Sequence, residues 1–95
     1  MPSYLVESYL PRAPRALEDA SDQARRVAGF AATKGLGVRY LRTTLLAADE
    51  TCFHAFDATS LEDLEAALAG VGLVVDRIVR SDETSAAAPA SDERS

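Results

Sequence analysis

The 95-residue sequence contains one cysteine, Cys52, so no disulfide can form within the chain. That removes the class of small secreted domains held together by disulfide bridges. No run of apolar residues reaches the length needed to span a bilayer, and Met1-Pro2-Ser3 leads straight into a strand-like pattern with none of the marks of a signal peptide. A cytoplasmic location is the default expectation. There is no glycine-rich phosphate loop, no HExxH, no CxxC and no nucleophile elbow. Positive charge is also in deficit: ten Lys plus Arg oppose fifteen Asp plus Glu, a formal net charge of −5. This argues against general nucleic-acid binding, which depends on neutralising phosphates.

Hydrophobic residues make up 47% of the chain, enough for one packed core. A domain this small buries only about 60–65% of the surface that its unfolded chain exposes. Self-association is a natural way to bury more.

The hydrophobic pattern changes period along the chain. Ser3 to Leu10 reads as a strand, with Tyr4, Val6, Ser8 and Leu10 on one face and Leu5, Glu7 and Tyr9 on the other. Pro11 and Pro14 close it. Leu17, Ala20, Ala24, Val27, Ala28 and Ala31 then recur at helical spacing, and Gly35 offers the left-handed stop. VRYLRTTLL (38–46) and TCFHAFDA (51–58) are two strands, joined by a short link that favours an antiparallel hairpin. Ser60, with Asp63 three residues later, heads a second helix whose stripe is Leu61, Leu64, Leu68 and Val71. Gly70 and Gly72 end it, and LVVDRIVR (73–80) makes the last strand.

The order β-α-β-β-α-β predicts an α+β, ferredoxin-like domain over residues 1–82. Its four-stranded antiparallel sheet carries both helices on one face. The other face is open, which suits a face-to-face homodimer, and the expected assembly is a dimeric α/β barrel. Residues 83–95 have no periodicity and no bulky apolar anchor, and read as a disordered tail.

Cys52 and His54 are the one suggestive pair. Two residues apart on a strand, they leave the same face together with Phe56. A thiolate and a neutral imidazole are competent ligands for nickel, zinc or copper. Two ligands are too few for a strong site, but two-fold symmetry in a dimer would supply four. The plainer reading makes Cys52 a small buried hydrophobe and His54 a lone half-buried side chain. Glu7 is a supporting carboxylate if strand pairing places it beside the imidazole. Otherwise it pairs with Arg39, Arg42 or Arg77. By alternation Arg42 shares a face with Tyr40 and Thr44, an arrangement suited to an anion.

The segments YLVESYLPR, VRYLRTTLLAADETCFHAF and GLVVDRIV resemble a family of small, largely uncharacterised bacterial proteins, mostly actinobacterial. That family includes a nickel-binding member with a ferredoxin-like fold that associates as a dimer. The likeness spans about residues 3–80 and is most specific from Tyr40 through Phe56, around Glu50-Thr51-Cys52-Phe53. It implies divalent-metal binding, nickel first, with Cys52, His54 and Glu7 as metal residues and Tyr9, Tyr40, Arg42 and Glu50 lining a cavity. The family often has another small or thiol-bearing residue where His54 stands. With a single histidine in the chain, a histidine-rich site within one subunit is impossible. The alternatives are a small-ligand-binding protein, or a cofactor-free monooxygenase-like or isomerase-like enzyme, using the open sheet face, and a dimeric interaction module. Neither nucleic acid nor membrane is an expected partner.

Overall fold

The computed structural model describes residues 1–10 and 15–81. The expected tail at 83–95 and the two loop prolines lie outside the described residues.

Four strands and two long helices alternate as anticipated. They are β1 (Ser3–Tyr9), α1 (Ala16–Thr33), β2 (Val38–Leu46), β3 (Thr51–Ala58), α2 (Leu61–Val71) and β4 (Arg77–Ser81), with a 3₁₀ turn at Ala47–Asp49 between β2 and β3. The sheet order is β2-β3-β1-β4, and every pairing is antiparallel. This is the ferredoxin-like arrangement.

The barrel does not form. β2 and β4 are the two edges and do not pair with each other, so the sheet stays open. A β-barrel requires its first and last strands to close the hydrogen-bond ladder.

The core lies between the helices and one sheet face. Tyr4 and Val6 of β1, with Phe56 and Ala58 of β3, pack against Ala24, Val27 and Ala31 of α1 and Leu64, Ala67 and Leu68 of α2. The small alanines let α1 sit close to the strands, as its composition suggests. Leu17 and Leu61, the first apolar residue of each predicted stripe, remain partly exposed at the helix starts.

α2 begins as its sequence predicts: the Asp63 amide donates to Ser60 Oγ at 3.1 Å. The Asp63 carboxylate turns elsewhere, accepting from the Gly37 amide at 3.1 Å, which ties the start of β2 to α2. The helix stops at Gly72, which takes the left-handed conformation (φ 80°). Gly70 is not part of the stop. It lies inside α2, where a Cβ would stand 2.2 Å from the Phe30 ring, so its role is close contact between the helices.

β4 is shorter than expected. Residues 73–75 do not join the sheet. Leu73 and Val75 pack on the core, while the Val74 carbonyl accepts from Ser8 Oγ at 2.8 Å. Pairing to β1 begins where the Asp76 amide donates to the Glu7 carbonyl at 2.8 Å.

Candidate functional site

Register across the sheet decides which chemical groups meet. Ser8 pairs with Cys52, Val6 with His54 and Tyr4 with Phe56, so all six side chains leave the helix-covered face. Glu7 pairs with Phe53 and Arg77, on the opposite face. The structure therefore brings Cys52 and His54 together and separates Glu7 from both by the thickness of the sheet. Glu7 instead meets Arg77, Oε1 to Nε 3.6 Å, with the arginine largely exposed. Such a pair contributes little to stability.

On β2 the alternation is interrupted. The register shifts between Tyr40 and Arg42, one extra residue on the β2 side. Before this bulge Val38 and Tyr40 face the helices; after it Thr43 and Leu45 do, opposite His54 and Cys52. Arg42 and Thr44 fall on the open face. Simple alternation had grouped Arg42 with Tyr40, and the bulge undoes that grouping. It also recruits Thr43, which the sequence pattern alone had not marked. A bulge in a nine-residue strand leaves no clear composition signal.

The result is a continuous polar chain through an apolar interior. Tyr40 Oη lies 2.7 Å from Thr43 Oγ1, Thr43 Oγ1 lies 2.8 Å from His54 Nδ1, and His54 Nε2 lies 3.5 Å from Cys52 Sγ. His54 is 1% exposed and Cys52 0%. The Tyr40 ring packs edge-on against Phe56 at 5.7 Å between centroids, and the Arg25 guanidinium stands over its face. Burial pushes the Cys52 thiol above its ordinary range and the His54 imidazole below its own. Near neutral pH the pair is thus a thiol beside an uncharged imidazole.

Cys52 and His54 also lie behind a cavity of about 300 Å³, with almost no surface of their own open to it. Its floor is Ser8, Cys52 and His54; Ala16, Asp19, Ala20 and Gln23 of α1 form one wall, and Leu10, Leu73 and Val74 another. The space exists because the facing residues are small: Ala16 and Ala20 on the helix, Ser8 and Cys52 on the sheet. Tyr9 belongs to the rim and is 59% exposed. Glu50 stands at the head of β3 in the left-handed conformation (φ 49°), and its carbonyl accepts from the Leu10 amide at 2.8 Å.

Of the residues expected to share a site, Cys52, His54 and Tyr40 are joined through Thr43, and Tyr9 borders the same cavity. Glu7 and Arg42 face the other way. Among the described residues, no three His, Cys, Asp or Glu side chains come together as a metal-binding group, so the nickel expectation draws no support from the geometry. No helix among the described residues is long and apolar enough to cross a membrane.

No protein-family model matches the sequence, and no curated protein matches it. Among solved structures, the chain is similar to SCO4226 from Streptomyces coelicolor A3(2), with a TM-score of 0.65 and 15% sequence identity. The match covers 86% of this chain and 98% of the other. At that identity the likeness is one of fold.

Proposed function

We propose that this chain is a small-ligand-binding protein whose ligand occupies the cavity between β1, β3 and the first turns of α1. One observation carries the reading. A chain of uncharged polar groups, half-buried at Tyr40 and Thr43 and buried at His54 and Cys52, ends beneath a cavity whose volume lies at the lower end of the usual range for ligand pockets. Apolar walls with a few convergent polar atoms are the common build of such pockets. Among the described lining residues there is no Lys or Arg, and Asp19 is the one carboxylate. That lining favours an uncharged or weakly cationic molecule over a carboxylate or phosphate. The cavity lies under the helices, on the face opposite the one first expected to hold a ligand.

The open face supports pairing of two copies. Leu5, Ala55 and Val79 lie in register across its centre, beside Phe53. Cys52 and His54 point away from that face, so a face-to-face dimer keeps the pairs of its two subunits apart, with both sheets between them. The four-ligand metal site expected from symmetry therefore has no route through this interface.

The test is a screen of uncharged fragments against ¹⁵N-labelled protein. Ligand reading predicts shifts at Ser8, Gln23, Cys52 and Val74, and loss of binding in Ala20→Leu, which fills the cavity from α1. Hits confined to Phe53, Arg42 and Arg77 would move the site to the open face. Titration with nickel and zinc runs beside it. Micromolar or tighter metal binding, about 8 kcal/mol, abolished in both Cys52→Ser and His54→Ala, would replace this reading with the metal-binding one.

A further inference from the structure

We propose that the cavity takes small primary amines with an apolar body, and that Asp19 and Gln23 of α1 hold the ammonium group. This rests on the cavity reading and deepens it by naming the charge of the ligand. Two observations carry it: which carboxylate of α1 lacks a cation, and which hydrogen-bonding roles the lining leaves open.

α1 bears Glu18, Asp19 and Asp22. Glu18 pairs with Arg15 at 3.4 Å and Asp22 with Arg25 at 2.9 Å, both well exposed. Asp19 makes no ion pair and no side-chain hydrogen bond, and it is the one of the three that lines the cavity. Gln23 lines it too, and its side-chain amide is likewise without a partner. Residues four apart stand side by side on a helix, so the two side chains meet a ligand together. Asp19 is exposed and Gln23 half-buried, which puts the carboxylate at the mouth and the amide further in.

The lining is short of donors. Ser8 Oγ gives its hydrogen to the Val74 carbonyl at 2.8 Å. A carboxylate only accepts, whereas an ammonium group carries three donors and no acceptor. It therefore matches Asp19 and the Gln23 carbonyl directly. A ligand carboxylate would meet like charge at Asp19. The start of α1 offsets this with only about half a unit of positive charge, less than Asp19 carries. A metal cation fits worse than an organic one, because among the described residues no three His, Cys, Asp or Glu side chains gather around it. Leu10, Ala20, Leu73 and Val74 supply apolar surface for the rest of the molecule. Val74 is 73% exposed, so an apolar body laid against it gains by leaving water.

Three probes share one body and differ in charge: cyclohexylmethylamine, cyclohexylmethanol and cyclohexanecarboxylate. Each is titrated into the ¹⁵N-labelled full chain at pH 7, where an alkylamine is protonated, and the Ser8, Gln23 and Val74 amides are followed. The amine is expected to bind about three- to fivefold tighter than the alcohol, the effect of an ion pair at a partly exposed carboxylate. The carboxylate should bind more weakly than either. Asp19→Asn should bring the amine to the affinity of the alcohol and leave the alcohol unchanged. Glu18→Gln removes the same charge one residue away, outside the cavity, and should keep the preference.

Equal binding of amine and alcohol to the wild type, or a preference that survives Asp19→Asn, would overturn the proposal. Ala20→Leu, shown to be folded by a thermal melt, separates the two ways it can fail. If amine and alcohol bind alike and Ala20→Leu abolishes both, the amine assignment falls and the cavity stands. Binding that Ala20→Leu leaves unchanged lies elsewhere and removes both readings, as does the absence of shifts at these amides from all three probes at millimolar concentration.

Discussion

Thr43 and His54 face each other across β2 and β3, Oγ1 to Nδ1 2.8 Å, because the bulge after Tyr40 turns Thr43 toward the helices. Without that extra residue, alternation from Tyr40 would send Thr43 to the open face and bring Arg42 against the buried imidazole. The bulge thus decides whether His54 has a neutral partner or a cationic neighbour.

Thr43→Val should therefore destabilise the fold by about 1–3 kcal/mol, since it leaves a buried ring nitrogen without its partner. Thr43→Ser, which keeps the hydroxyl, should recover most of that loss. Urea denaturation of the three proteins checks this. A Thr43→Val midpoint equal to wild type would show that water or another group satisfies Nδ1.

Stability should fall on both sides of neutrality, through two different groups. His54 has a folded pKa below its unfolded value, so the unfolded chain binds more protons as pH drops. Its contribution is complete above about 6.5 and is lost as pH falls through the folded value. Cys52 has a folded pKa raised above its ordinary value of 9.0, so its contribution is complete below that value and is lost as pH rises through the folded one. Melting temperatures at pH 5–6.5 and pH 8.5–10 test both arms. His54→Gln should flatten the first and Cys52→Ser the second. A wild-type acid slope shared by His54→Gln would assign that arm to carboxylates instead.

Much of this was legible in the sequence because one kind of information, hydrophobic period, is local. β2 and β3 have the bounds that their patterns predict, and Ser60 and Gly72 mark α2 through backbone chemistry that one residue reveals. What depends on tertiary register was not legible. The face on which Glu7 lies follows from its pairing with Phe53, the grouping of Arg42 follows from a bulge, and the cavity follows from four small residues meeting across three elements, β1, α1 and β3. The barrel failed for a related reason. Closure depends on whether β2 and β4 meet, and the pattern within each strand says nothing about that.

Gly70 illustrates a residue whose role reverses with context. As a helix terminator in the left-handed conformation, its replacement by alanine would be destabilising; at an interior helical position the same change would by itself stabilise by about 1 kcal/mol. The Phe30 ring removes that gain, since the added methyl group would stand 2.2 Å from it. Gly70→Ala is expected to be net destabilising by about 1 kcal/mol or more, within the usual range for overpacking. Phe30→Leu should be destabilising alone and less so in the Gly70→Ala background. A double-mutant cycle by thermal denaturation measures the coupling, and additive effects would show that the ring moves aside at no cost.

The open sheet face makes the last prediction. Leu5, Ala55, Val79 and Phe53 give it an apolar centre, while Arg39–Asp57 (3.3 Å) and Glu7–Arg77 (3.6 Å) flank that centre with paired charges. Paired charges on one face leave no large field of one sign to repel a second copy, so two such faces related by a two-fold axis can meet. Light scattering is expected to give twice the chain mass of 10.1 kDa at about 100 μM, and Phe53→Asp to return it to one chain by placing two carboxylates near the axis. A wild-type protein that remains at one chain mass at that concentration would refute the pairing.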